Sequence, residues 1–234
     1  MKKQQKDTLL ILLTVLSAGM VLVGAYLALA GAPAPENIKS EVGRQAYRII
    51  YFHIPTAWVG FLAFFVTFVA GIAYLRTQSR KWDIVALASA EIGTVFMLGV
   101  LVTGSIWAKP TWNTWWTWEP RLTISLMQFL IYVGYLMLRS SVEDPARRAR
   151  FAAVYGIVAF VSVPINYLAI RLWRENHPLM FGNPSEQGGL GPNMMAAFFF
   201  CLVAFTVWYV TLMWHRIRLE RLRDDVELVK SKLL

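Results

Sequence analysis

The sequence predicts an all-α integral membrane protein with six transmembrane helices, and three observations carry that prediction. The chain is 57% hydrophobic and 16% charged, with a mean hydropathy of +0.48, far more apolar than an ordinary soluble domain. Largely uncharged stretches of about 20 residues, each able to cross roughly 30 Å of hydrocarbon as a helix, recur six times. The basic residues fall between those stretches rather than within them, so the formal charge of +9 reads as membrane topology and not as a nucleic-acid surface.

The spans lie near 8 to 30, 52 to 75, 84 to 107, 122 to 138, 151 to 170 and 193 to 214, in a single membrane domain covering 1 to 234. The first resembles a secretory signal ending at Ala28-Leu29-Ala30, but its apolar run is too long for one, so a retained helix is expected. With both termini cytoplasmic, the inner segments hold 16 of the 23 basic residues and the outer segments seven, which favours that orientation. The loops 31 to 51 and 171 to 192, and the segment between helices 3 and 4, then face outward. The tail, 215 to 234, reads as a solvated, charged cytoplasmic helix continuing span six.

Within the spans, few residues break the apolar pattern. Glu91 is the clearest acid inside a span, where a carboxylate is costly and faces a neighbouring helix or a cavity. Pro164 and Asn166 predict a kink in span five whose freed polar groups find partners. Cys201 is the single cysteine, which excludes intramolecular disulfides and a C-x-x-C-H site for covalent haem. No G-x-x-x-x-G-K-[ST] loop is present, so energy from nucleotide must come from partners.

The outward segment TWNTWWTWEP, 111 to 120, holds four of the ten tryptophans in seven positions. Trp112, Trp115 and Trp116 share the i, i+3, i+4 spacing of one helical face, and Glu119 extends it. Pro110 suits the start of a short helix and Pro120 its end. A surface-lying helical turn or two with an apolar face is therefore expected. Trp is also at home at any membrane-water interface, so a simple aromatic belt accounts for the indoles taken alone.

Three histidines separate by side. His215 ends span six on the inner side and reads as an interfacial anchor, whereas His53, in YFHIPTAW, and His177, in RENHPLM, share a side with the tryptophans. Each of these two could simply hydrogen-bond at the interface. A planar aromatic surface, two imidazoles and nearby guanidinium groups in combination fit a porphyrin. Neutral imidazole is a ligand for haem iron, indoles cover the macrocycle, and Arg48, Arg121 and Arg171 are candidates for its propionates.

The stretches RIIYFHIPTAW (48 to 58), TGSIWAKPTWNTWWTWEPRLT (103 to 123) and VPINYLAIRLWRENHP (163 to 178) resemble, in order, segments of the cytochrome c maturation family CcmC, or haem exporter protein C, one of the Trp-rich haem-handling proteins. The likeness runs from about residue 44 to 178. It implies six spans in a bacterial inner membrane, with His53 and His177 as axial ligands of non-covalent haem b on the periplasmic face. It further implies that Trp112, Trp115, Trp116 and Trp118 cup the ring, and that Arg48, Glu119 and Arg121 match charged family positions contacting propionates or the chaperone. The implied partners are haem, the haem chaperone CcmE, the small membrane protein CcmD, the ABC transporter CcmA/CcmB, and membrane lipid.

The chain departs from the family where Trp-Gly becomes Trp112-Asn113 and where Trp-Asp-Ala-Arg becomes Trp118-Glu119-Pro120-Arg121. Asn113 tolerates left-handed backbone better than most residues, which leaves a glycine-like turn open to it. The leading functional reading is a non-enzymatic carrier that delivers haem. Two alternatives stand beside it: a haem-b redox subunit of a membrane electron-transfer complex, and a haem-free transporter subunit in which Glu91 marks the substrate path.

Overall fold

The computed structural model describes residues 3–35, 38–173 and 190–233. Every regular element among them is helical: α1 (Lys3–Tyr26), α2 (Glu41–Tyr47), α3 (Ile50–Thr77), α4 (Arg80–Trp112), α5 (Pro120–Ser141), α6 (Pro145–Ala159), α7 (Ser162–Leu172) and α8 (Met195–Leu233). A single π turn, Leu27–Gly31, closes α1, and a 3-10 turn, Pro192–Met194, opens α8. Six helical segments are long and apolar enough to cross a membrane.

Local chemistry sets the boundaries. Ala32 is extended, as befits a residue preceding proline, and its N–H closes on the Leu27 carbonyl at 2.9 Å. Ser40 caps α2 by accepting the Gly43 N–H, and Asp144 caps α6 by accepting that of Arg147 at 2.7 Å. α3 stops at Gln78 and α4 at Asn113, the two non-glycine residues with positive φ among the described residues, at 51° and 57°. Pro120 and Pro145 open their helices at a position where a missing N–H costs nothing.

One predicted feature takes a different form, and the kink predicted in span five is present. The helical turns expected inside 111 to 120 are absent: α4 runs through Pro110 and ends at Trp112, and residues 113–119 are irregular. The left-handed Asn113 terminates the helix before the i, i+3, i+4 pattern can continue, so the indoles do not share one helical face. Span five is divided at Phe160–Val161: Pro164 has no N–H for the Phe160 carbonyl, which accepts from the Val163 N–H at 2.9 Å, and Ser162 Oγ donates to the Ala159 carbonyl at 2.7 Å. Asn166 donates to the side chains of Gln128, at 2.6 Å, and Ser125, at 3.1 Å, fastening α7 to α5.

α3 is the central helix, packed on α4, α6 and α8; α1 lies against α8, and α5 against α4, α6 and α7. The α3–α4 contact is made close by small residues. A Cβ at Gly93 would fall 2.7 Å from the Phe64 ring and 2.9 Å from the Ala63 methyl, and one at Gly99 would sit 3.2 Å from Thr56.

At one end of the bundle, charges pair across helices. Asp83 is buried and takes two hydrogen bonds from buried Arg139, at 2.5 and 3.1 Å, beside a further contact with Arg80. Arg216 bridges Glu91, at 2.5 and 2.9 Å, and buried Glu220, at 2.6 Å. Arg80 also reaches Asp224, and Arg218 reaches Asp7. His215 Nε2 lies 2.8 Å from Thr14 Oγ1, so it ties α8 to α1. α8 continues beyond these contacts as one helix to Leu233.

Candidate functional site

The opposite end of the bundle carries the Trp-rich segment. Its core joins Ala28, Ala32, Tyr47, Tyr51, Trp107 and Met194, with Trp112 packed against them. This brings together the end of α1, the α2–α3 corner, the last turns of α4 and the start of α8. Tyr51 donates its hydroxyl to the Pro33 carbonyl at 2.7 Å, pinning the chain that follows α1.

His53 stands in the first turn of α3, half-buried against α4. Its Nδ1 lies 2.8 Å from Thr103 Oγ1, and a Cβ at Gly104 would come within 3.3 Å of its Cε1. The helix start is therefore pressed against a hydroxyl and a glycine on the neighbouring helix. That fixes the plane of the imidazole.

Arg48, at the α2–α3 corner, donates from Nε to the Ala28 carbonyl and from Nη2 to that of Leu27, each at 3.2 Å. Those carbonyls belong to the π turn, where the irregular ladder leaves acceptors to satisfy. Arg48 thus braces the site and uses only part of its five-donor guanidinium to do so.

The tryptophans divide by exposure. Trp107 is buried and meets Trp112 edge to face, with centroids 4.9 Å apart; Trp116 meets Trp118 likewise at 5.9 Å. Trp115 is 59% exposed and Trp118 76% exposed, so large apolar rings project from the irregular segment. Thr114 Oγ1 donates to the Trp116 carbonyl at 3.0 Å, and Lys109 reaches the Asn113 carbonyl at 3.3 Å, giving 113–116 a defined shape without a helix. Glu119 is buried at the cap of α5, within electrostatic reach of the half-buried Arg121.

Of the residues singled out from sequence, Arg48, His53 and Trp112 thus gather around the α3–α4 corner. Glu119 and Arg121 stand at the start of α5, which Ser125, Gln128 and Asn166 join to α7. His177 lies outside the described residues, as does the side chain of Arg171.

Thr103, Gly104 and Trp107 escaped sequence reasoning as site residues. The signal was their place on α4: Thr103 and Trp107 are one i, i+4 step apart, on the stripe that faces α3. Glu91 is shown to be half of a two-bonded ion pair with Arg216, on the charged end and far along α4 from the aromatic residues.

These donors fit haem as a cargo. An oriented imidazole stands beside a corner lined with indoles, further rings lie open at the surface, and an arginine retains donor capacity.

A family model described as "Heme exporter protein C" (CcmC) matches residues 2–232. The chain is 33% identical over 216 residues to Heme exporter protein C of Bradyrhizobium diazoefficiens, covering 90% of this chain and 79% of that one. It is 32% identical over 208 residues to Heme exporter protein C of Haemophilus influenzae, covering 89% and 83%. A putative cytochrome c biosynthesis ccmC-like mitochondrial protein of Marchantia polymorpha is 32% identical over 133 residues, covering 57% and 56%.

Proposed function

The chain belongs to the haem exporter protein C family, and from that premise we propose that it handles haem in a membrane for cytochrome c maturation. It holds haem b without a covalent bond and delivers it to the haem chaperone CcmE. Both termini are cytoplasmic and the aromatic end faces the periplasm, as the distribution of basic residues favours. CcmD and the ABC transporter CcmA/CcmB act beside it, supplying the ATP-driven step for which this chain has no nucleotide loop.

The observation that carries this reading is the placement of His53: a half-buried imidazole, oriented by α4, at the end of the bundle where the indoles of Trp115 and Trp118 stand exposed. Haem supplies an iron with two axial positions and two flat hydrophobic faces. His53 occupies one axial position and His177 the other. Trp112 and Trp116, half-buried, with Trp115 and Trp118 cover the macrocycle. Arg48 and Arg121 pair with propionates, and Glu119 contacts the chaperone or orients Arg121. Exposure of Trp118 suits a carrier, because a binding edge left open to solvent is an edge a receiving protein can reach.

The Glu91–Arg216 pair weighs against the transporter alternative, since a carboxylate held by two hydrogen bonds is engaged in packing. The experiment is an absorption spectrum of detergent-purified protein expressed with ample haem, with His53→Ala and His177→Ala beside it. A haem band in the wild type that is lost or shifted in both variants is expected. A band unchanged in both removes the axial assignment. Rapid reduction by a quinol without transfer to purified CcmE supports the redox reading instead. Labelling of a Trp118→Cys variant by a membrane-impermeant thiol reagent, in intact spheroplasts, tests which side the segment faces.

A further inference from the structure

We propose that Thr103 is a positioning residue that fixes which nitrogen of His53 carries the proton, so that the Nε2 lone pair is the one presented to iron. The inference rests on the reading of His53 as a haem ligand.

The argument is a count of protons. Thr103 Oγ1 lies 2.7 Å from the Gly99 carbonyl oxygen, which can only accept; the single hydroxyl proton of Thr103 is therefore committed there. A second carbonyl, of Val100, lies 3.3 Å away on the same side. The hydroxyl oxygen also lies 2.8 Å from His53 Nδ1. With its own proton engaged, it serves that nitrogen only as an acceptor. Nδ1 must then be the protonated nitrogen, and the neutral imidazole carries its lone pair on Nε2.

The same hydroxyl, bonded into the backbone of its own helix, cannot swing away without losing the Gly99 carbonyl. Gly104 completes the cradle: its missing side chain admits the edge of the ring, 3.3 Å from where a Cβ would be. A ligating histidine commonly donates its other N–H to a protein acceptor, which sets its orientation and raises its basicity; losing that acceptor weakens metal affinity about 10- to 100-fold. The protein meets this need with a threonine on a neighbouring transmembrane helix.

The test compares haem-loaded Thr103→Val, Thr103→Ala and Thr103→Ser with the wild type and His53→Ala in detergent. The readouts are the visible spectrum, the iron spin state by electron paramagnetic resonance, and the rate of haem loss to a scavenging apoprotein. Thr103→Val keeps the shape and Thr103→Ala shrinks it, but both remove the acceptor. Both are expected to lose haem about 10-fold faster and to gain a high-spin component, whereas Thr103→Ser retains the wild-type values. Wild-type spectra and haem loss in the Val and Ala variants, with His53→Ala altered, overturn the role of Thr103 and leave the ligand assignment standing. An unaltered His53→Ala spectrum overturns the ligand assignment, and this proposal with it. Equal damage in all three Thr103 variants, serine included, shows packing rather than the hydroxyl at work and also overturns it.

Discussion

The two ends of the bundle use polar groups in opposite ways. At the charged end, Asp83 pairs with Arg139 and Glu91 with Arg216 across helices, Arg216 also pairs with Glu220 along α8, and a group so paired has little left to offer a ligand. At the aromatic end, His53 meets the Thr103 hydroxyl and Arg48 two backbone carbonyls, while rings such as Trp118 are turned outward. The first arrangement is closed on itself. The second holds its side chains in place at an end where large apolar rings stand open to whatever lies outside the chain. Ionisable groups inside a membrane are therefore not equally good pointers to function: the pairing decides.

The largest effect that can break this comparison is at Asp83. Asp83→Asn leaves buried Arg139 without its counter-charge, at a cost of about 3–5 kcal/mol, whereas Arg139→Met leaves Asp83 with Arg80 as its remaining partner and costs less. The expected result is a large fall in the thermal unfolding midpoint in detergent. The double replacement Asp83→Leu with Arg139→Met should cost less than Asp83→Asn alone, because no lone charge remains. If the single changes are silent, the charged end is not what secures the helices.

A smaller effect is expected at Gly93. Gly93→Ala places a methyl against the Phe64 ring and the Ala63 methyl, forcing α3 and α4 apart at a cost of about 1–3 kcal/mol. Thermal unfolding reads the loss, and haem retention falls in parallel as His53 and Thr103 separate.

Trp118→Ala sharpens the contrast from the other side. It should change stability by less than about 0.5 kcal/mol, since the indole packs little, yet weaken haem retention in the scavenging assay. A large stability loss there would mean that the ring is a structural prop. Smallest of all is Arg218→Ala, which removes an exposed pair with Asp7 and is expected to cost no more than about 0.5 kcal/mol, indistinguishable by melting.

The six helices were legible because apolar length is written directly in the sequence, and so was the kink before Pro164, since proline removes a specific hydrogen bond. The left-handed turn at Asn113 followed from residue type. The continuation of α4 through Pro110 was not legible: a helix long enough to tolerate proline in its last turn reads locally like a new start. Nor was the partner of Glu91. Arg216 is distant in the chain, and a lone carboxylate in an apolar run gives no hint of what it faces. His53 could be picked out by type and side, but Thr103 could not, because a threonine in a membrane helix usually bonds only its own backbone, and here it does that as well.

The close approach of α3 and α4 at Gly93 continues, through Gly99 and Thr56, to the corner where His53 meets Gly104. Two rods touching along that much of their length do not open like a jaw. One half of any grip on a passing molecule is accordingly an anvil, ready before the molecule arrives and unmoved when it leaves. On the proposed reading, tightening and letting go fall to the segment where the indoles stand on irregular chain, and a receiving protein that engaged those rings would have its hand on the release.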